Sequence, residues 1–580
     1  MINMSEKTTE QLAEPDIGKS RLMGSNIYFT GTGAVLDITL SGTDLKDMRK
    51  LLKLWDTELE RIMQALNWSG YKTGIRTYSK GFKYAISAPE DLLFCAIYVL
   101  RQTWESVYSK YKTGEFYPIE KILAYIEPEI KSELNLKYRA ICNEARRRSL
   151  NVFLEKYDLC IGSGKYAFRA DIDDISLRDI PWDDIKEVPS VMVTGTNGKT
   201  TTVRLTAYIA RHAGKKVGYC STDWVMVGDE IVEKGDLSGP TGSLRVMMHP
   251  EVELAVLEVA RGGLVRRGLI ADYVKGATVT NVSEDHLGQD GIENIVDMAE
   301  TKSLVYAAVR QGGYCIINLD DVQMRKRVET LSGKKILITQ KKLTHKDVKA
   351  YLKYADHICF IKDGAFYWKT GAKEFLVATF AETPITVNGM AKHNIENAMN
   401  TICLSHVLGL TRKQIANGLK TYHNTAENNR GRANTFRHNG GTIIVDFAHN
   451  PAAIGAILNM GHAYLKSGAK FTMLLGNTGN RLQLTDGICQ MVVDAKVDTV
   501  MIKEIPNFLR GAKIGQIPKM IEDSLLKKGM KKNQLVMIGD EETALEHTLK
   551  TIQPGDVCVF LCHSNTGGIL EQLNKRTELI

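Results

Sequence analysis

Residues 194–202 read TGTNGKTTT, directly after the apolar run VMV at 191–193. A stretch of helical character, 203–212, follows, and Gly214 stands where it can end that helix. Strand, glycine-rich turn, Lys-Thr and helix is the order that lets backbone N–H groups cradle phosphate, with the positive end of the helix dipole added. On this reading Gly195, Thr196, Asn197, Gly198 and Thr201 belong to the cradle. Lys199 reaches the β- and γ-phosphates, and the Thr200 hydroxyl ligates Mg²⁺. The longer phosphate loop has a glycine where Val193 stands, so this is a shorter form. The plain alternative, a glycine turn capping a helix, gives the Lys-Thr pair no task.

Outward from the loop, short apolar runs alternate with helical stretches: LAVLEV at 254–259, ATVTNV at 277–282, YCIINL at 314–319. That alternation predicts a largely parallel α/β sheet. It loses regularity after Tyr367 and closes in a helix over about 393–408. Five further runs, at 442–447, 471–476, 499–504, 534–539 and 557–562, predict a second α/β unit of Rossmann type. Upstream, GAVLDITL at 33–40 reads as a strand. Leu51, Leu52, Trp55, Leu59, Ile62 and Met63 recur at helical spacing, and helices are expected over 89–108 and 128–157. The chain is therefore expected to be α/β with three domains after a flexible tail at 1–19. These are an α+β N-terminal domain at 20–188, a central phosphate-loop domain at 189–425 and a C-terminal Rossmann-like domain at 426–580.

The bulk numbers set limits. The chain has 580 residues, 44% hydrophobic and 24% charged, with net charge +8. That length exceeds one compact core. No apolar run reaches the roughly 18 residues of a membrane helix, and the polar N-terminus lacks a signal-peptide core. Ten cysteines scattered in apolar runs predict buried reduced thiols rather than a disulfide framework. A cytoplasmic protein is expected, with no membrane partner. No basic stripe with interleaved aromatics calls for nucleic acid.

Further blocks complete the pattern: GDLSGPTGS at 235–243, LEVARGGLVRRGL at 257–269, TNVSEDHLG at 280–288, KHNIEN at 392–397, NRGRANTF at 429–436 and VDFAHNPA at 445–452. Together with TGTNGKTT they resemble the Mur ligase and folylpolyglutamate synthase superfamily, and more closely the ligase half of cyanophycin synthetase. The resemblance spans about two-thirds of the chain. It implies an ATP-dependent amide ligase that activates a carboxylate as acyl-phosphate and joins it to an amino acid, releasing ADP and phosphate. The C-terminal domain would swing onto the central one to complete the site.

The resemblance also implies roles for single residues. Glu258, ending an apolar strand, becomes a Mg²⁺ ligand with Thr200; the alternative is an ion pair with Arg261. His286 helps hold a second Mg²⁺. Lys302, sixteen residues later, is either a carbamate facing the metal or a plain cation. Asn397 meets the adenine edge, and Asn394 either joins it or caps its helix; His393 adjoins them. Arg432 reaches the ATP phosphates. Asp446 contacts the ribose or caps a helix, with His449 and Asn450 just beyond. Arg261, Arg266 and Arg267 face an anionic acceptor. Lys503, Glu504 and Arg510 are candidates for the incoming amino acid. GNTGNR at 476–481 departs from the acidic residues the family often carries there. A small-molecule or peptide carboxylate and an amino acid are thus the expected partners, with the pair's identity and the oligomeric state open. Two other readings share Lys199 and Thr200: a P-loop ATPase or phosphotransferase, and a non-catalytic nucleotide-binding protein. The first does not account for EDHLG, KHNIEN or DFAHNP, and intact Lys199, Thr200, Glu258 and His286 argue against the second.

Overall fold

The computed structural model describes residues 15–285 and 287–579. Its centre is an eleven-stranded sheet whose middle is parallel. The strand before the phosphate loop, Ser190–Thr194, lies between Leu254–Glu258 and Val274–Val279 and pairs in parallel with both. These strands are buried on both faces, which explains their unbroken apolar runs. From Ser190–Thr194 the chain first fills positions on one side of the sheet, then returns and continues outward on the other. Such a reversal opens a crevice beyond the carboxyl ends of the strands, where α/β folds bind ligands.

Both edges of this sheet are antiparallel. Trp224–Val227 and Glu230–Lys234 extend one. His357–Lys362, Ala365–Thr370 and Lys373–Thr379 extend the other. The latter is the stretch whose pattern loses regularity. Its first turn is Asp363-Gly364, both at positive φ (50° and 70°), the geometry of a tight hairpin.

The C-terminal region forms a seven-stranded sheet with a parallel core. All five apolar runs expected there are strands: Gly441–Asp446, Phe471–Leu475, Thr499–Ile502, Leu535–Met537 and Val557–Leu561. Asn434–His438 adds an antiparallel strand beside the first.

The N-terminal region carries a four-stranded antiparallel sheet backed by helices Met48–Ala65 and Leu93–Thr113. Trp55 stacks on Tyr84 at 4.9 Å in its core. Two expectations change here. The stretch read as a tail contributes residues 16–19 to an edge strand, Asp16–Leu22, paired with Gly33–Thr39. Its exposed lysine and aspartate suit a sheet edge. The helix expected over 128–157 is three elements: Ile119–Glu133, Leu136–Arg147 and the strand Val152–Glu155. Pro128 sits inside the first helix at an exposed position, where water can serve the carbonyl it leaves unpaired. Asn135 starts the second by accepting from Tyr138 N at 2.9 Å. The strand folds back on Asp158–Ile161 through Lys156 at φ 58°.

Among the described residues no helix is long and apolar enough to cross a membrane. All ten cysteines are buried and unpaired.

Candidate active site

The phosphate loop is held open by its neighbours. Asn281 O accepts from Thr196 N at 2.8 Å, and Asn281 Oδ1 accepts from Asn197 N at 2.9 Å. Thr280 Oγ1 donates to Asn197 O at 2.6 Å. Two glycines are required by this closeness. A Cβ on Gly195 would lie 1.8 Å from Thr280 Oγ1. Gly198 has φ 82°, and a Cβ there would lie 2.1 Å from Asn397 Oδ1. The helix Lys199–His212 starts straight after it, aiming its N-terminus into the loop.

Glu258 is 1% exposed at the end of its strand. Its Oε1 accepts from Thr200 Oγ1 and Thr222 Oγ1, both at 3.1 Å, while its Oε2 has no partner. Burial pushes the carboxyl above its usual range, and the nearby Lys199 opposes that shift. A buried half-satisfied carboxylate beside a threonine hydroxyl is the donor set a hard divalent cation takes. No described group of three or more His, Cys, Asp or Glu side chains stands ready to hold a metal alone. The ion pair weighed as an alternative does not form: Arg261 pairs with Asp290 at 3.1 Å. His286 lies outside the described residues.

Lys199 Nζ donates to Gly195 O and Thr196 O, each at 3.0 Å. Lys302, 3% exposed on the helix Ile295–Ser303, donates to the same Gly195 O at 2.8 Å. Burial, then the charge of Lys199, holds the Lys302 amine well below the usual lysine range.

Asn394 does not cap its helix. The Lys392–Val407 N-cap is Ala391, and Asn394 Nδ2 donates to Ile385 O at 3.1 Å. Asn394 Oδ1 in turn accepts from Asn397 Nδ2 at 3.1 Å. Asp446 is no cap either: it accepts from Ala433 N at 2.8 Å and Ala448 N at 2.6 Å. Asn450 caps the helix Pro451–Tyr464 instead. Arg432 lays its guanidinium over the Phe447 ring, 5.0 Å from the centroid.

Two cavities meet here. One, about 370 Å³, runs from the loop past His393 and Asn397 to Arg432 and Asp446. The other, about 1150 Å³, is walled by Arg261, Arg266, Arg267, Lys302, His449 and Arg510, among others. Lys199 and Glu258 line both. Lys503 is corrected: it lies fully buried, bonded to Glu541 and to Leu561 O, and lines neither cavity. Glu504 lines neither cavity and accepts from Gly515 N at 2.9 Å.

The C-terminal sheet touches the central one at the site. Asn197 and Asn450 exchange amide hydrogen bonds of 2.9 and 3.3 Å. Arg481 Nε donates to Asp285 Oδ1 at 3.2 Å, and His449 Nε2 lies 3.7 Å from the other oxygen. Asn429 Nδ2 donates to Thr201 Oγ1 at 3.3 Å. Thr222, Asn281, Asp285 and Arg481 were not singled out from sequence. Thr222, Asn281 and Asp285 follow apolar strands at the carboxyl edge, which was a usable signal; Arg481 gave none beyond lying in GNTGNR.

Residues 193–405 match the model of the Mur ligase middle domain, and residues 431–562 that of the Mur ligase glutamate ligase domain. Among curated proteins, cyanophycin synthetase of Crocosphaera subtropica is 34% identical over 400 residues, covering 68% of this chain and 44% of that one. A 2,6-diaminopimelate-adding UDP-N-acetylmuramoyl-L-alanyl-D-glutamate ligase of Chlorobium phaeobacteroides is 23% identical, covering 63% of this chain and 69% of that one. A solved bifunctional folylpolyglutamate synthase/dihydrofolate synthase superposes with TM-score 0.48 at 16% identity, covering 67% of this chain and 89% of that one. The chain thus spans less than half the length of the cyanophycin synthetase it matches.

Proposed function

The chain belongs to the Mur ligase family, carrying its middle and glutamate ligase domains, and from that premise we propose that it is an ATP-dependent acid–amino-acid ligase. The observation that carries this reading is the junction of two cavities at Lys199 and Glu258. A nucleotide in the smaller cavity directs its terminal phosphate to that junction. A carboxylate in the larger one approaches from the opposite side. Two reactants converging on one cationic point is the arrangement that transfer between them requires.

The carboxylate oxygen attacks the γ-phosphorus; the bond to the bridging oxygen breaks and ADP leaves. The amine of the amino acid then attacks the acyl carbon, phosphate departs and the amine loses its proton. Lys199 leaves the carbonyls of Gly195 and Thr196 to neutralise charge on the phosphates. Arg432 adds a second cation, and Asn397 and His393 border the base. Burial pushes the His393 imidazole down to about 4, so its ring is neutral at pH 7 and suits the face of a base. Thr200 and Glu258 would hold Mg²⁺, which offsets phosphate charge when bound. His286 would help hold a second ion in this reading. Arg261, Arg266 and Arg267 orient the acceptor, His449 and Arg510 the amino acid. Burial holds the Lys302 amine below the usual lysine range, which favours the unprotonated form that takes up carbon dioxide, and a carbamate is the reading proposed for it. The C-terminal domain excludes water that would hydrolyse the acyl-phosphate. The three domains at 20–188, 189–425 and 426–580 divide the work into acceptor selection, ATP binding and amino-acid capture. The cytoplasm keeps the ten buried thiols reduced.

The test is a screen of carboxylate acceptors against amino acids with ATP and Mg²⁺, reading phosphate and product mass. The expected result is ADP, phosphate and a product of acceptor plus amino acid less water, all lost in Lys199→Ala. Phosphate release that needs neither substrate would make the protein an ATPase. Undiminished biological activity of Lys199→Ala would make it a non-catalytic binder.

A further inference from the structure

Glu396 lines the smaller cavity and has no part in the reaction proposed above. It lies on the helix Lys392–Val407, between Asn394 and Asn397. Burial raises its carboxyl to about 7, against the opposing pull of the Asn281 and Asn318 amides. A carboxyl in such a place is costly to the fold unless its bonds offset the lost water.

The bond it makes leads to the phosphate loop. Glu396 Oε1 accepts from Asn281 Nδ2 at 2.8 Å. The same amide clasps the loop at Asn197: its Oδ1 accepts from Asn197 N at 2.9 Å, and its Nδ2 donates to Asn197 O at 3.2 Å. An amide nitrogen has two hydrogens, one for each acceptor. The Asn197 backbone decides which way the amide faces, because an N–H only donates and a carbonyl only accepts. Glu396 takes the remaining N–H and so fixes where the amide lies.

The helix that brings Glu396 is itself held in register. Asn400, one turn on, accepts from Thr278 Oγ1 at 2.6 Å, on the strand Val274–Val279 that leads to Asn281. Asn400 Nδ2 donates to Glu396 O at 3.0 Å. Asn397, the next residue, stands against Gly198 of the loop. On the far side of the loop the Asn197 side chain exchanges its bonds with Asn450 of the C-terminal sheet. A line of polar side chains therefore runs from Glu396 through Asn281 and Asn197 to the second sheet.

We propose that Glu396 is a positioning residue for the phosphate loop: by holding the Asn281 amide it keeps Asn197, and with it the turn at 195–198, in the shape that takes up phosphate. The inference rests on the nucleotide reading of that loop and adds to it a residue acting at one remove from the nucleotide.

The experiment uses the full chain, Mg²⁺ and a non-hydrolysable ATP analogue, with binding read by calorimetry and each variant first checked for a cooperative melt. Glu396→Met keeps the volume and removes the strong acceptor; Glu396→Gln keeps the acceptor. The Met variant is expected to bind the analogue at least fivefold more weakly than the wild type, and the Gln variant to restore affinity to within threefold. In an Asn281→Ala background the change to Met should cost less than a further twofold, because the route is already cut. Hydrogen exchange in the free protein reads the loop directly. Backbone amides at 195–198 should exchange at least fivefold faster in Glu396→Met than in wild type or Glu396→Gln. Glu396→Ala takes the place of a Met variant that does not fold. Equal affinity of Met variant and wild type, even with a lowered melting temperature, makes Glu396 merely structural and overturns the proposal. So does a loss that persists in full without Asn281, which marks direct contact with the nucleotide. If the wild type does not bind the analogue, the nucleotide reading fails and exchange decides alone: faster loop exchange in the Met variant supports the positioning role, and unchanged exchange refutes it.

Discussion

Glu258 condenses the chemistry into one side chain. One carboxylate oxygen is satisfied by two threonines, and the other is buried with nothing to bond. An oxygen left so is costly for the fold by itself, on the order of 1–3 kcal/mol, and is retained when a ligand completes it. Glu258→Gln keeps the shape and removes the charge. The variant is expected to need at least tenfold more Mg²⁺ for half-maximal turnover while unfolding at the same or higher temperature without metal. A variant that melts lower with unchanged Mg²⁺ dependence would make Glu258 a structural residue. Much at this scale was readable in the chain. Gly195, Gly198, Lys199 and Thr200 are a contiguous string whose spacing carries its own geometry. Lys503 misled, because a cation after a strand looks the same in sequence whether it faces solvent or an internal glutamate. Arg481 and Asp285 were invisible as a pair, since the two are brought together only when separate sheets meet.

Elements were legible where period and punctuation agreed. The parallel strands announce themselves as apolar runs because helices cover both of their faces. The antiparallel margins did not, since half-exposed strands such as Lys373–Thr379 mix charge with apolar residues. The 128–157 stretch reads as one helix, where a helix ending at Glu133, a second capped by Asn135 and the strand Val152–Glu155 share it. The helix Lys392–Val407 carries a testable consequence of its placement. Its Glu396 borders the smaller cavity and accepts from Asn281 Nδ2 at 2.8 Å. Burial raises its carboxyl from 4.5 to about 7. The folded state therefore binds the proton more tightly than the unfolded chain, so this group's stabilisation is full below pH 4.5 and is lost as pH rises through about 7. The shift sets a ceiling of about 3 kcal/mol, lowered because water reaches the cavity. Glu396→Gln keeps the acceptor and abolishes the titration. Urea unfolding at pH 5 and pH 8 should show the variant gaining on the wild type by about 1–2 kcal/mol at the higher pH. An equal difference at both values would refute the assignment.

At the scale of the whole molecule the site exists only while two sheets face each other. Lys199, Glu258 and Lys302 sit on the central one; Arg432 and Asp446 lead into the other. Direct contacts hold them together: the Asn197–Asn450 amide exchange and the Asp285–Arg481 ion pair. In the proposed reaction ATP adds to these contacts by engaging loop and linker cations together. Each contact contributes about 1 kcal/mol, so losing both moves the open–closed balance by roughly tenfold or more. Asn450→Ser keeps a helix-capping oxygen while shortening the reach to Asn197, and Arg481→Ala removes the ion pair. In the double variant the free protein should scatter as a more extended particle than the wild type. Saturating non-hydrolysable ATP analogue should compact both to the same profile, with the variant requiring about tenfold more. Wild type and variant that scatter identically, with and without the analogue, would mean the two sheets form one rigid body and closure has no part in the reaction.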